Sequence, residues 1–208
     1  MPLGQTIRRL LGPLEKPAAE CYRGVFVDLS SFVGQIRQWS SGPNILELGC
    51  GEGAVVERVA KMLPHATITG IDITPRVGRM FQGDTARVTF RQQAIKEFAA
   101  TNAATFDLLI VCDALHHIPW ELHEELLADA KKVLKAGGIL VLKDWVPSRT
   151  PIHLLCYLAD RYITGDQVRY KSAQQLQAVI ERVFGAGCIK ARARIRPWAN
   201  NAAFLVQA

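Results

Sequence analysis

The sequence lacks several features that would place it in other classes of protein. Its 208 residues contain five cysteines and no C-x-x-C pair, so we expect neither a disulfide framework nor a cysteine-based zinc site. No run of about 18 apolar residues could cross a membrane, and the opening residues lack the long apolar core of a secretory signal. Internal repeats and low-complexity tracts are absent. These absences favour a single domain in the reducing cytoplasm.

The most informative segment is ILELGCGEG, residues 45–53. Its apolar run Ile45–Leu48 predicts a buried strand, and Gly49, Gly51 and Gly53 follow at every second position. Glycines there allow positive φ angles and let a ligand approach main-chain atoms closely. Apolar residues at helical spacing come next. The segment therefore predicts a strand, a turn and a helix that form a nucleotide-type site at the carboxyl end of the strand.

The rest of the chain alternates predicted strands and helices. This alternation favours a parallel sheet with right-handed crossovers. Further strands are expected at 66–72, 88–92, 106–112, 134–142 (a helix end, a Gly137-Gly138 turn and a strand), 188–195 and 202–206. Helices are expected within 17–38, at 152–162 with a turn at 164–166, and at 173–184, where Ser172 is the expected N-cap.

The spacing of motifs resembles one known family. Residues 47–53 follow the pattern E-x-G-x-G-x-G, and an acid, Asp72, ends the second strand 19 residues after Gly53. Over residues 43–144 this order resembles the class I S-adenosylmethionine-dependent methyltransferases, in particular their small-molecule members. The resemblance implies an α/β fold with a doubly wound, mostly parallel seven-stranded sheet, the Rossmann-like methyltransferase fold, in which the last strand is antiparallel.

The same resemblance implies how the chain is organised. We expect one methyltransferase domain over residues 1–208 with four parts. These are an N-terminal helical cap (1–42), a cofactor-binding core (43–144), a substrate lid (145–171), and a C-terminal helix with two strands (172–208).

S-adenosylmethionine is the cofactor that the resemblance implies, and family members indicate where it binds. The glycine turn packs against the methionine moiety, Asp72 holds the ribose, and Ile73 lies against adenine. The adenine amino group is received either by the Gln93 side chain or by backbone atoms of Ala94 or Ile95. The expected cofactor-binding residues are Glu47, Gly49, Cys50, Gly51, Gly53, Asp72, Ile73, Gln93, Ala94, Ile95, Cys112 and Asp113.

Two adjacent histidines follow the fourth strand, in the segment DALHHIP (113–119). Methyl transfer requires an aligned nucleophile, and a hydroxyl or protonated amine must also lose a proton. Histidine is the natural base near neutral pH. Small-molecule O-methyltransferases carry a basic histidine at the position that His116 matches. The candidates are therefore His116 and then His117, and the alternative is that both only shape the pocket.

Residues after the fifth strand are expected to contact the acceptor. An acceptor with an apolar or aromatic body is favoured, and the candidate substrate-binding residues are Asp144, Trp145, Tyr157, Arg161 and Tyr162. No metal is expected. A catechol-type magnesium site would use acids such as Asp113 and Asp144 followed by asparagine, but Trp145 stands there instead.

The expected function is methyl transfer to oxygen of a small-molecule or lipid-like acceptor. The formal net charge of +6 and the alternating basic residues at 190–196 leave an RNA methyltransferase as one alternative. The lack of an RNA-binding module and of the amide clamp of amino-directed enzymes opposes it, and the basic residues could equally form the solvated face of an edge strand. A non-catalytic cofactor-binding partner subunit is another alternative. The segment Ile7–Leu11 with Leu14 could contact a membrane surface, and the sequence leaves the oligomeric state open.

Overall fold

A computed structural model describes residues 12–40, 42–165 and 167–208. The strands are β1 (Asn44–Leu48), β2 (Thr67–Asp72), β3 (Val88–Gln92), β4 (Phe106–Cys112), β5 (Leu134–Trp145), β6 (Ile189–Arg194) and β7 (Asn201–Gln207). The helices are α1 (Glu15–Phe26), α2 (Leu29–Trp39), α3 (Ala54–Met62), α4 (Ile95–Thr101), α5 (His123–Val133), α6 (Pro151–Ala159) and α7 (Ala173–Phe184). Short 3-10 turns occupy Gly12–Leu14, Leu115–His117 and Trp120–Leu122, and a π-helical turn follows α6 at Asp160–Thr164.

The seven strands form one sheet in the order β3-β2-β1-β4-β5-β7-β6. The first five strands pair in parallel, whereas β7 runs antiparallel to both β5 and β6. This confirms the predicted doubly wound, mostly parallel sheet with an antiparallel last strand. The strand order reverses between β1 and β4, so the chain leaves their carboxyl ends in opposite directions and opens a crevice there.

Hydrophobic cores cover both faces of the sheet. In β1 the side chains of Leu46 and Leu48 belong to one core, and Ile45 belongs to the other. In β4 the alternate residues Leu109 and Val111 likewise join the first core. Because side chains alternate between the faces of a strand, a strand buried on both sides must be apolar at nearly every position. This explains the unbroken apolar runs in the sequence.

The predicted helical stretch 17–38 is two helices in the structure. The chain is extended at Val27, where φ is −145° and ψ is 134°. Asp28 then begins α2, and its Oδ1 accepts a hydrogen bond of 2.9 Å from the Ser31 amide. The aspartate side chain satisfies an amide that has no partner within the helix, so it stabilises a new helix start and ends the predicted single stretch.

Two other predicted boundaries also differ. The helix predicted at 152–162 ends as an α-helix at Ala159. A wider π-helical turn continues from there to Thr164, and Gly165, at φ 82°, follows its end. Strand β5 pairs with β4 from Leu134 onward, with a shift in register before Ile139, and it continues to Trp145. The predicted helix end agrees with the structure to within one residue, since α5 stops at Val133 and Leu134 is its C-cap.

Some predicted features lie outside the described residues. They are Ile7–Leu11 of the expected membrane-contacting segment and Asp166 of the expected turn. Among the described residues, no helix has the length and apolar character that crossing a membrane requires.

We predict that Phe32→Ala lowers the free energy of unfolding by about 3–5 kcal/mol. The Phe32 side chain is fully buried and attaches α2 to the sheet, so its loss leaves a cavity that neighbouring residues fill only partly. Chemical denaturation followed by circular dichroism measures the change. The exposed residue Gln38 lies on the same helix, and Gln38→Ala should stay within about 0.5 kcal/mol of the wild type. Equal stability of the two variants would contradict the packing described.

Candidate functional site

Two adjoining cavities open at the carboxyl ends of β1, β2 and β4. The first, named here the glycine cleft, measures about 560 Å³ and is lined by Leu48, Gly49, Gly51, Asp72, Ile73, Thr74, Gln93, Ala94, Ile95, Val111, Asp113, Ala114, Leu115, His117, Ile118 and Leu126. The second, named the lid cavity, measures about 290 Å³. Four residues line both cavities, so a ligand in one can meet a ligand in the other. They are Gly49, Gly51, Asp113 and His117.

The glycine turn brings backbone atoms to the floor of both cavities. Gly49 has φ 76°, and a Cβ at that position would lie 2.8 Å from the Cβ of Ala114. Real side chains cannot approach so closely, so only glycine fits. Gly51 has φ 48°, and its amide donates a 2.8 Å hydrogen bond to Asp72 Oδ2. Gly53 lines neither cavity. It begins α3 at φ 89°, packed against Phe90, and thus shapes the turn without reaching the predicted ligand.

Asp72 ends β2 with its carboxylate fixed at the glycine cleft. Besides Gly51, the Thr74 amide and hydroxyl donate to Oδ1 at 2.8 and 2.7 Å. Each carboxylate oxygen has further acceptor capacity, so Asp72 can still receive ligand hydroxyls. The neighbouring Ile73 is 74% exposed, and it offers an apolar surface in the same cleft as Gln93. A carboxylate beside an apolar wall suits a nucleoside, whose sugar carries hydroxyls and whose base is flat.

Glu47 is a buried carboxyl group with one unsatisfied oxygen. It lines the lid cavity, is 3% exposed, and has no hydrogen-bond partner for Oε2. Burial is the main cause that raises the pKa of Glu47 to about 8, and the Asp72 charge adds to it, although a hydrogen bond from the Val56 amide acts in the opposite direction. A cationic ligand group would satisfy this carboxyl. Burial also raises the pKa of the Cys50 thiol, which therefore stays protonated and is a poor nucleophile.

His116 and Asp144 form a buried pair on the wall of the lid cavity. His116 Nδ1 hydrogen-bonds to Asp144 Oδ1, and the His116 amide donates to Oδ2 at 3.2 Å. The Trp145 amide also donates to Oδ1, at 2.8 Å. Burial favours the neutral imidazole, but the Asp144 carboxylate outweighs it and raises the pKa of His116. The second ring nitrogen, Nε2, has no partner among the described residues, so it is available to a molecule in the cavity.

Asp144 was predicted to contact the substrate, but the structure places it behind His116. It is 2% exposed and does not line either cavity. The reason is that its oxygens are taken by His116 and by the Trp145 amide, which places it behind the imidazole. Trp145 does line the lid cavity, as predicted. His117 is exposed beside both cavities, and its ring lies 4.1 Å from that of His116.

A second buried pair links Lys143 and Asp113. The Lys143 side chain is 1% exposed, and Nζ lies 2.7 and 2.5 Å from the two oxygens of Asp113. Asp113, His116 and Asp144 each present one ligand atom within 4.8 Å of the others, an arrangement that could hold a metal ion. The Lys143 ammonium and the His116 ring already engage these carboxylates. This arrangement does not favour a divalent cation, and the expectation of no metal stays a prediction.

Helix α1 and the segment after β5 complete the walls of the lid cavity. Tyr22 and Phe26 of α1 line it, and the Phe26 ring packs edge-on against Trp145 at 6.1 Å. Cys156 and Asp160 line it from the other side. The sequence analysis missed all four residues. Only the helical spacing of four between Cys156 and Asp160 indicated that these two share a face.

Three residues predicted to contact the substrate face away from both cavities. Tyr157, Arg161 and Tyr162 are exposed and line neither the lid cavity nor the glycine cleft. Because Cys156 and Asp160 face inward, residues one position further along the helix face outward. Tyr170, in contrast, lies close to the site: its ring is 5.2 Å from that of His116, and its hydroxyl donates to Asp160.

Comparison with known proteins agrees with this geometry. Residues 45–138 match a family model described as a methyltransferase domain. The ubiquinone biosynthesis O-methyltransferase of Vibrio parahaemolyticus is 33% identical over 101 residues, 47% of this chain and 41% of the relative. The enzyme of the same name from Xanthomonas campestris pv. campestris is 31% identical over 114 residues, 53% of this chain and 45% of the relative. The match thus spans less than half the length of these relatives.

Solved structures extend the similarity of fold beyond the matched residues. The apo S-adenosylmethionine-dependent methyltransferase SibL superposes with a TM-score of 0.71 at 16% identity, covering 95% of this chain and 57% of that one. A Burkholderia thailandensis 1,6-didemethyltoxoflavin-N1-methyltransferase, solved with S-adenosylhomocysteine and its acceptor, gives 0.67 at 14% identity and covers 97% and 86%. Residues 45–138 thus match a methyltransferase domain in sequence, and the chain shares the fold of these S-adenosylmethionine-dependent methyltransferases. The unsatisfied Glu47 and the nucleoside-like cleft would fit S-adenosylmethionine, the cofactor that the SibL structure is named for.

We predict that Asp72→Ala weakens binding of S-adenosylmethionine by about 2–4 kcal/mol, a factor of roughly 30 to 700. The variant loses charge-assisted hydrogen bonds to the ribose and the support that Asp72 gives to Gly51. Isothermal titration calorimetry measures the dissociation constant. Asp84 is an exposed acid whose side chain lines neither cavity, and Asp84→Ala should bind as the wild type does. Undiminished binding by Asp72→Ala would remove Asp72 from the cofactor site.

We also predict that binding of S-adenosylmethionine releases a proton from Glu47 near pH 7. With a pKa of about 8, the free protein holds Glu47 mostly protonated at that pH. A cationic ligand favours the ionised carboxylate, so the proton leaves as the ligand binds. Calorimetry in phosphate and in Tris, whose ionisation enthalpies differ, counts the protons released. Glu47→Gln keeps the shape of the side chain and should release fewer protons. Equal release by the two proteins would refute this linkage.

Proposed function

We propose that this protein transfers the methyl group of S-adenosylmethionine to an oxygen of a small-molecule or lipid-like acceptor held in the lid cavity. The observation that carries the proposal is the His116–Asp144 pair: His116 lines the lid cavity, and its ring lies 4.1 Å from that of His117, which lines both cavities. A histidine supported by a carboxylate is the arrangement that proton removal from a hydroxyl requires. The names of the O-methyltransferase relatives also support transfer to oxygen.

Each residue of the pair has a separate task in the proposed reaction. S-adenosylmethionine supplies an electrophilic methyl group, and transfer of that group to the acceptor oxygen leaves S-adenosylhomocysteine. His116 Nε2 takes the acceptor proton as the new oxygen–carbon bond forms. The Asp144 carboxylate accepts from Nδ1, which fixes the tautomer with Nε2 unprotonated and stabilises the imidazolium that results. Two backbone amides hold Asp144 in turn.

The walls of the lid cavity support a small acceptor with an apolar body. Tyr22, Phe26 and Trp145 supply aromatic surface, and His116, Lys143 and Asp160 are among the polar groups. Cavities with this division bind small organic molecules, because apolar walls supply affinity and a few polar groups fix the orientation. We assign residues 145–171 the role of a substrate lid for the same reason, since Cys156 and Asp160 close one side of the cavity.

The basic residues at 190–196 give the RNA alternative little support. They lie on and just beyond β6, an edge strand separated from β5 by β7, whereas the two cavities open at β1, β2 and β4. Arg192 donates to Gln177, and Lys190 donates to the Gly187 carbonyl. Positive charges on an exposed edge discourage pairing with another sheet. A non-catalytic partner subunit has no specific observation in its favour, because the His116–Asp144 pair is intact.

We predict that His116→Ala lowers kcat by a factor of about 10²–10⁴ and leaves the affinity for S-adenosylmethionine nearly unchanged. The assay follows formation of S-adenosylhomocysteine with a panel of phenols, catechols, hydroquinones and aliphatic alcohols. His117→Ala is the matched control, and it should lower kcat less. If no acceptor yields product with the wild type, the proposed function fails. Near-wild-type turnover by His116→Ala on a true acceptor would remove only the base.

The pH profile provides an independent check on the base. His116 must be neutral to accept a proton, and its pKa is raised above 6.5 because the Asp144 carboxylate outweighs the effect of burial. The wild-type rate should therefore fall as the pH drops through a value above 6.5, and it should level off on the alkaline side. Loss of this acid limb in His116→Ala is expected.

A further inference from the structure

Lys143 is a buried charge in a place where the sheet otherwise holds apolar residues. It pairs with Cys112 of β4 and Ala203 of β7, and the preceding residues of β5, Val141 and Leu142, are fully buried. Burying an ammonium group without compensation is strongly unfavourable. A single ion pair only partly offsets that penalty. The presence of a lysine at this buried position therefore suggests a role beyond the ion pair.

The hydrogen bonds of the Lys143 ammonium group suggest what that role is. A lysine ammonium has three N–H donors. The two oxygens of Asp113 take two of them, and no other acceptor among the described residues meets the third. The side chain is 1% exposed and lines the lid cavity, so a molecule held in that cavity can reach the remaining donor. A buried donor without a partner costs about 1–3 kcal/mol.

Apart from Glu47, the other charged groups at the lid cavity already interact with neighbouring residues, and Glu52, for example, pairs with Arg79. Asp144 is paired with His116, and Asp113 is paired with Lys143. Asp160 accepts a hydrogen bond from Tyr170, and Arg23 is paired with Glu20. When His116 takes a proton, an oxyanion develops on the acceptor within the same cavity. Lys143 is the buried cation with a donor still to offer.

We propose that Lys143 binds the reacting oxygen as an anion, and that the acceptor is therefore an acidic hydroxyl compound, a phenol or an enol. The inference rests on the proposed function and specifies its substrate class. An opposite charge at hydrogen-bond distance favours ionisation by about 1–3 pH units. Such a shift brings a phenol, which ordinarily ionises near pH 10 like tyrosine, within reach of a histidine base. An aliphatic alcohol is far less acidic, so the same shift leaves it neutral.

The test uses 4-nitrophenol and 4-nitrocatechol, whose anions absorb visible light. Each probe is titrated with pH in the presence of excess protein saturated with S-adenosylhomocysteine. Bound to the wild type, the probe should ionise about 1–2 pH units below its value in free solution. Lys143→Met should abolish the shift, whereas Lys143→Arg keeps the charge and should retain part of it. Lys135 forms its ion pair with Asp107 and does not line the cavity, so Lys135→Met should behave as the wild type does.

A second variant separates recognition from folding. Lys143→Met leaves Asp113 without its cation, but Lys143→Met combined with Asp113→Asn removes both charges of the pair and keeps the local charge balanced. Thermal denaturation shows whether the double variant is folded, and the folded double variant should not shift the ionisation of the probe.

Three results would overturn the inference. They are a wild type that binds neither probe as an anion, an unchanged shift in both Lys143→Met variants, and turnover of aliphatic alcohols in preference to phenols. Methyl transfer to an alcohol would leave the proposed function intact and refute only the role of Lys143. Absence of methyl transfer to every acceptor refutes the proposed function, and the separate turnover assay shows it.

Discussion

The site depends on two buried ion pairs at the carboxyl ends of β4 and β5. His116 and Lys143 line the lid cavity, and each pairs with a carboxylate, Asp144 and Asp113 respectively. Asp144 and Lys143 are the buried members of these pairs, and removing the partner of either leaves an uncompensated buried charge. The parallel pairing of β4 with β5 holds both pairs in register, because Cys112, which precedes Asp113, lies opposite Lys143. The sheet therefore fixes where proton transfer can occur.

Local patterns predicted the sheet well, and most of the residues expected to bind the cofactor line the two cavities. The unbroken apolar strands, the glycines at 49–53 and the acid at 72 each satisfy a local requirement: burial on both faces, positive φ, or a side chain at a strand end. Such requirements involve few neighbours, so they can be read from the sequence. Boundaries such as the helix break at Asp28 were missed, because a single side-chain cap decided them.

The acceptor side could not be predicted to the same extent. Its walls come from α1, β4, β5 and α6, which are far apart in the sequence. The phase of α6 decides that Cys156 and Asp160 face the cavity while Tyr157 and Arg161 face outward, and residue type alone favoured the aromatic and charged residues. Lys143 was overlooked for a related reason. A lysine after an apolar strand ordinarily marks the strand's solvated end, and only the position of Asp113 across the sheet shows that it is buried.

The His116–Asp144 pair stabilises the folded protein at low pH, whereas the proposed base requires a higher pH. The pKa of His116 is raised in the folded protein, so the charged pair stabilises the fold fully below the unfolded value near 6.5, and this stabilisation is lost as the pH rises through the folded pKa. In the proposed mechanism His116 must be neutral to act as a base, so we expect activity in the pH range where that contribution is absent. The protein is then held together by the two cores on either side of the sheet. The apolar strands that position the site must therefore also supply its stability at the pH where it works.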